Sequence, residues 1–196
     1  MFPVNVPNVL TLLRILLVPV LVVALLGETP NGDLLAAAVF AVASLTDMLD
    51  GYLARSRNAI TTFGKLMDPI ADKLLVIAAL VSLVSLGRVA AWVAMVVIAR
   101  EFAVTALRMA ATSQGVVISA SFFGKLKTCF QIAMVMALIL AGSALWVDLL
   151  VYATVAVTVA SGADYFFGLR RTLGARDRAK AKAAERAASR GGAEGA

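Results

Sequence analysis

Histidine is absent from this sequence, and cysteine occurs once, at Cys129. No imidazole is therefore available as a metal ligand. A single thiol inside an apolar run makes no disulfide framework, so Cys129 is read as a packing residue. Charge is also scarce: 15% of residues are charged against 61% apolar, and the mean hydropathy of +0.92 excludes an ordinary soluble domain. No basic residue precedes Arg14, so the opening is not expected to be a secretory signal. Internal repeats are lacking, and nothing marks a second domain. What remains is the composition of a polytopic helical membrane protein. The net charge of +6 does not point to nucleic acid, because eight of the eighteen Lys and Arg follow Leu169 and belong to a tail rather than a basic reading face.

Six apolar stretches are separated by polar or turn-forming residues, which predicts an all-α integral membrane protein with six transmembrane helices. A short N-terminal interfacial segment, MFPVNVPNVLTLLR, leads into the first, about 9–26. The second runs from Leu34 past Asp50, and the loop SRNAITTF separates it from a third over 65–86. The others are expected at about 89–111, 126–145 and 147–167. Residues 1–173 form the membrane domain; 174–196 form a basic Ala/Arg/Lys-rich tail without large apolar residues, either helical at a surface or disordered.

Basic residues orient such a bundle. Arg55, Arg57, Lys65, Arg108, Lys125, Lys127 and the tail fall after the even-numbered helices, whereas the opposite turns hold only Arg88. The positive-inside rule then places both termini on the cytoplasmic side of the cell membrane, with the tail near anionic headgroups.

The loop between the second and third helices is flanked by four aspartates, Asp47, Asp50, Asp68 and Asp72. Carboxylates at membrane depth are costly and mark functional sites. Spacings of three and four residues put each pair on one helical face. Helix rise carries Asp47 about 20 Å from Leu34 and Asp72 about 21 Å from Leu86, so the pairs arrive at similar depth. Together they repel unless cations lie between them. Oxygen donors alone favour a hard cation, Mg²⁺ or Mn²⁺ ahead of Ca²⁺, and four carboxylates oversupply a single ion, which suits two. Acids, divalent metal and membrane point to phosphoryl or pyrophosphate chemistry on a lipid; ion transport is the competing class.

The full pattern is D-x2-D-G-x2-A-R-x8-G-x3-D-x3-D, completed by Gly51, Ala54, Arg55 and Gly64. It resembles the signature of the CDP-alcohol phosphotransferases at every specified position. That resemblance implies an enzyme that transfers a substituted phosphate from a CDP-linked donor to an alcohol and releases CMP. It assigns Asp47, Asp50, Asp68 and Asp72 to metal, with Asp72 also the general base. It puts Gly51, Arg55, Thr61, Asn8 and Thr11 on the nucleotide side, and it implies a homodimer.

Three further stretches, NVPNVLTLLR, AREFAVTALR and GKLKTCFQ, with a weaker match in SGADYF, resemble the bacterial branch of the family that uses sn-glycerol 3-phosphate, the donor being CDP-diacylglycerol. A dianionic acceptor needs cations. Arg100 lies about 15 Å into the fourth helix, and Arg108 is eight residues further on nearly the same face. With Lys125 they form the expected acceptor-phosphate pocket. Arg100 has a structural alternative, an ion pair with Glu101 or Asp164. Lys127 fits either the pocket or the positive-inside pattern, and Arg14 either the donor site or the interface. An inositol-phosphate-using member of the family is the nearest alternative.

Overall fold

The described residues form six helices: α1 (Val6–Leu26), α2 (Gly32–Arg57), α3 (Thr62–Ser85), α4 (Ala91–Ser113), α5 (Phe122–Ala141) and α6 (Leu145–Ala193). They come from a computed structural model that describes residues 6–27, 29–57, 62–113, 122–142 and 144–193. Side chains outside that description include those of residues 47–57, 62–70 and 72. No strand occurs among the described residues.

The expected all-α class holds, and the boundaries shift: most helices start earlier than expected, whereas α4 starts later and α5 ends earlier. α1 begins at Val6, so Asn8 and Thr11 are already helical where an interfacial segment was expected. α2 runs on to Arg57 and α3 starts at Thr62, leaving only residues 58–61 of the expected loop outside the described helices. α5 begins at Phe122 and stops at Ala141. The stop is Gly142, whose φ of 59° takes the left-handed conformation that ends helices.

α3 ends in the same way. Gly87 has φ 67°. The Arg88 amide donates to the Leu83 carbonyl at 2.9 Å and the Gly87 amide to that of Val84 at 3.0 Å, the paired bonds of a Schellman cap. The α1–α2 turn depends on a different glycine. A Cβ on Gly32 would stand 2.5 Å from the Ala24 carbonyl oxygen, so only hydrogen fits there.

Packing follows from where the small and large residues fall. On α2, Ala36, Phe40 and Ala43 are wholly buried at helical spacing, and the alanines let neighbours approach closely. α1 lies along both α2 and α3; α5 packs on α2 and α6; α4 packs on α3 and α6. Leu21, Leu80, Leu83, Met134 and Leu138 fill the centre. The outside is apolar too: Leu16, Val23, Met95 and Leu149 are all exposed, as expected of a surface that meets hydrocarbon rather than water.

Among the described residues, two segments, Phe123–Ala141 and Leu145–Thr172, are long and apolar enough to cross a membrane. The apolar stretches of α1, α2 and α3 are shorter, at Thr11–Leu26, Gly32–Thr46 and Lys73–Ser85. α4 is interrupted by Arg100, Glu101 and Arg108. α6 is one helix of 49 residues, about 73 Å long at the usual rise, and it carries the basic tail as a direct continuation of its apolar part.

Candidate active site

The four aspartate positions fall on two helices, Asp47 and Asp50 on α2 and Asp68 and Asp72 on α3. α1 lies along both. The spacing that predicted paired faces is therefore realised on helical backbone, although the carboxylates themselves are outside the described side chains. Among the described residues, no group of three or more His, Cys, Asp or Glu gathers. As a donor set, four carboxylates with no imidazole or thiolate fit a hard divalent cation.

A cavity of about 210 Å³ opens beside these positions, lined by Arg14 of α1, Ser44 of α2, Lys73 of α3, Glu101 of α4, and Lys127 and Gln131 of α5. Ser44 precedes Asp47 by three residues and Lys73 directly follows Asp72, so the cavity lies within about one helical turn of the nearer position of each pair. Among the described lining residues, three are cations and one is a carboxylate. Arg14 and Lys127 are 2% and 5% exposed. Buried charge at that level requires compensation, and Lys127 has it: its ammonium donates to the Glu101 carboxylate. Gln131 is buried, and its Oε1 has no hydrogen-bond partner among the described residues.

Behind Glu101 stands Arg100. Its Nη1 is 3.4 Å from the same Glu101 oxygen, and its Nη2 donates to Ser161 Oγ of α6 at 2.5 Å. The ion pair with Glu101 was one of the two structural alternatives for Arg100. The other, Asp164, is exposed, and the α6 partner is Ser161, three residues earlier. Arg100 does not line the cavity, and Arg108 and Lys125 are exposed. The three proposed acceptor cations are thus not brought together around this cavity; Arg14, Lys73 and Lys127 are.

On the nucleotide side, Thr11 is buried on α1. Asn8, Gly51 and Arg55 lie on helical backbone with side chains outside the description, and Thr61 is outside it altogether.

The sequence held a signal for the cations it left unassigned. Lys127 shares a helical stripe with Gln131, Met134 and Leu138, all buried, whereas Lys125, two residues away, points to the opposite side. Arg14 shares its stripe with Thr11, Leu21 and Leu25, also buried. Basic residues in register with a buried apolar stripe face the bundle. Lys73 had no comparable mark.

Comparison with known proteins shows the family of the chain. The sequence model of a family described as CDP-alcohol phosphatidyltransferase matches residues 4–160. A Bacillus subtilis protein named CDP-diacylglycerol–glycerol-3-phosphate 3-phosphatidyltransferase is 43% identical over 180 residues, covering 83% of this chain and 93% of its own length. A Mycobacterium tuberculosis protein named probable phosphatidylglycerophosphate synthase is 42% identical over 176 residues, covering 87% of this chain and 84% of its own. A Rickettsia bellii protein with the same name as the Bacillus relative is 35% identical over 169 residues, covering 83% and 93%.

Proposed function

The chain belongs to the CDP-alcohol phosphatidyltransferase family, and from that membership we propose that it transfers the phosphatidyl group of CDP-diacylglycerol to sn-glycerol 3-phosphate and releases CMP. The observation that carries this reading is the cation-lined cavity adjoining the α2 and α3 positions of a complete aspartate motif. The names of the relatives at 43% and 42% identity support the donor and the acceptor.

Members of the family generally use divalent metal ions. Here Asp47, Asp50, Asp68 and Asp72 would hold two Mg²⁺ or Mn²⁺, which when bound neutralise the pyrophosphate and the charge that develops on the leaving CMP. Asp72 takes the proton from the primary hydroxyl of the acceptor, and the resulting oxygen attacks the β-phosphorus of the donor. The phosphoester to the diacylglycerol backbone is kept, the pyrophosphate bond breaks, and CMP departs with the bridging oxygen. Asn8, Thr11, Gly51, Arg55 and Thr61 bind the nucleotide and its phosphates. Arg100, Arg108 and Lys125 bind the acceptor phosphate, which is remote from the bond being made.

The bundle would cross the cell membrane six times, with the aspartates and both termini on the cytoplasmic side and the basic tail toward anionic lipids. The apolar exterior and the distribution of Lys and Arg support that placement. The family resemblance supports a homodimer.

The test is CMP release from CDP-diacylglycerol by purified enzyme in detergent, with sn-glycerol 3-phosphate, inositol phosphate, glycerol or serine offered as acceptor. Release that depends on glycerol 3-phosphate is expected. Release with inositol phosphate alone would reassign the acceptor, and none with any alcohol would remove the enzyme reading.

A further inference from the structure

The relay from Lys127 through Glu101 and Arg100 to Ser161 crosses three helices, α5, α4 and α6, and the mechanism above uses only one of its members. Ser161 is wholly buried and holds Arg100 Nη2 at 2.5 Å, while Glu101 holds Nη1 at 3.4 Å. A planar guanidinium fixed at both terminal nitrogens has its orientation set. Its third nitrogen, Nε, is buried without a partner among the described residues. A buried N–H donor is costly to leave unmade, so this arrangement suits an arginine held ready for an acceptor atom that arrives with a ligand.

Charge points the same way. Arg100 and Glu101 alone would form a neutral pair with no net attraction for an anion. Lys127 donates to the same carboxylate oxygen, so the cluster of two cations and one carboxylate retains one positive charge. Glu101, engaged by both cations, is also poorly placed to serve as a proton acceptor.

We propose that Ser161 and Glu101 are positioning residues for Arg100, fixing its guanidinium for the phosphate of the acceptor, and that Lys127 keeps the cluster net positive. This rests on the reading of Arg100 as an acceptor-phosphate ligand. Ser161 and Glu101 act through Arg100 and touch no reacting atom.

Ser161→Ala removes one hydroxyl without changing charge. It should raise the KM for glycerol 3-phosphate roughly three- to ten-fold, as expected for one lost hydrogen bond, and leave the KM for CDP-diacylglycerol unmoved. Ser161→Thr, which keeps the hydroxyl, should restore the acceptor KM. In an Arg100→Ala background, Ser161→Ala should add nothing further, because a residue that acts through Arg100 has no effect once Arg100 is gone. A merely structural serine would cost as much in both backgrounds, and that result, or an unchanged acceptor KM in the single variant, overturns the proposal. Should Ser161→Ala not yield monodisperse enzyme, Glu101→Asp, which keeps the charge and withdraws the carboxylate by one methylene, carries the test with the same expected split. If the unaltered enzyme releases CMP without any dependence on glycerol 3-phosphate, the acceptor assignment falls first and this inference with it.

Discussion

Arg88 and Asp33 meet across 55 residues of chain, Nη1 to Oδ1 at 2.9 Å and Nη2 to Oδ2 at 2.8 Å. Nη1 also donates to the Ile139 carbonyl at 2.9 Å. One guanidinium thereby ties the start of α2, the turn after α3 and the end of α5 at the end of the bundle remote from the aspartates. Trp92 and Trp146 open α4 and α6 at that same end, with the Trp92 and Tyr152 rings 6.3 Å apart, a distribution typical of a membrane interface.

Arg88→Ala should lower the melting temperature in detergent more than Asp33→Asn, because it also strands the Ile139 carbonyl. Asp33 is 46% exposed, so screening holds the ion-pair part to about 1 kcal/mol or less. Equal losses in the two variants would show that the carbonyl bond contributes nothing.

Membrane orientation can be read by labelling. Cysteines placed at Ser56 and Arg176 should react with an impermeant thiol reagent from the cytoplasmic side, and one at Asn31 only from outside, in a background lacking Cys129. Reaction of Asn31 and Ser56 from the same side would remove α2 as a span.

Among the acceptor cations, Arg100→Ala should raise the KM for glycerol 3-phosphate more than Lys125→Ala. Arg100 is mostly buried, its side chain 13% exposed, whereas Lys125 is exposed, and an exposed cation acts through screened solvent. If the contact also orients the nucleophile, kcat falls with it. An unchanged acceptor dependence in both folded variants would move the phosphate site to Arg14, Lys73 and Lys127.

Asp72 allows proton transfer and metal binding to be separated. Asp72→Asn keeps its shape and one coordinating oxygen but cannot accept a proton near neutral pH. It should abolish turnover while CDP-diacylglycerol binding, measured with metal present, weakens only modestly. Asp50→Asn removes charge from a residue assigned to metal alone, so raising Mn²⁺ or Mg²⁺ should restore part of its activity. Equal rescue of the two variants would make Asp72 one more ligand and leave the base to be found elsewhere.

Helix number, helix order and the placing of the aspartate positions on two successive helices were legible from the sequence because each depends on local periodicity. Apolar runs, turn residues and spacings of three or four are properties of neighbours along one helix. The family was legible for a related reason, since its signature is a set of fixed offsets between Asp47 and Asp72. The length of α6 was not. Ala, Arg and Lys beyond Leu173 suit a helix or a disordered tail equally by composition, and the structure continues the helix to Ala193. The cross-helix pairs were decided by tertiary packing alone. Lys127 reaches Glu101 over 26 residues, Arg100 reaches Ser161 over 61 and Arg88 reaches Asp33 over 55. Periodicity assigns each of these side chains a face of its own helix, but which helix lies opposite depends on how the buried alanines of α2 and the large side chains around them let the bundle close.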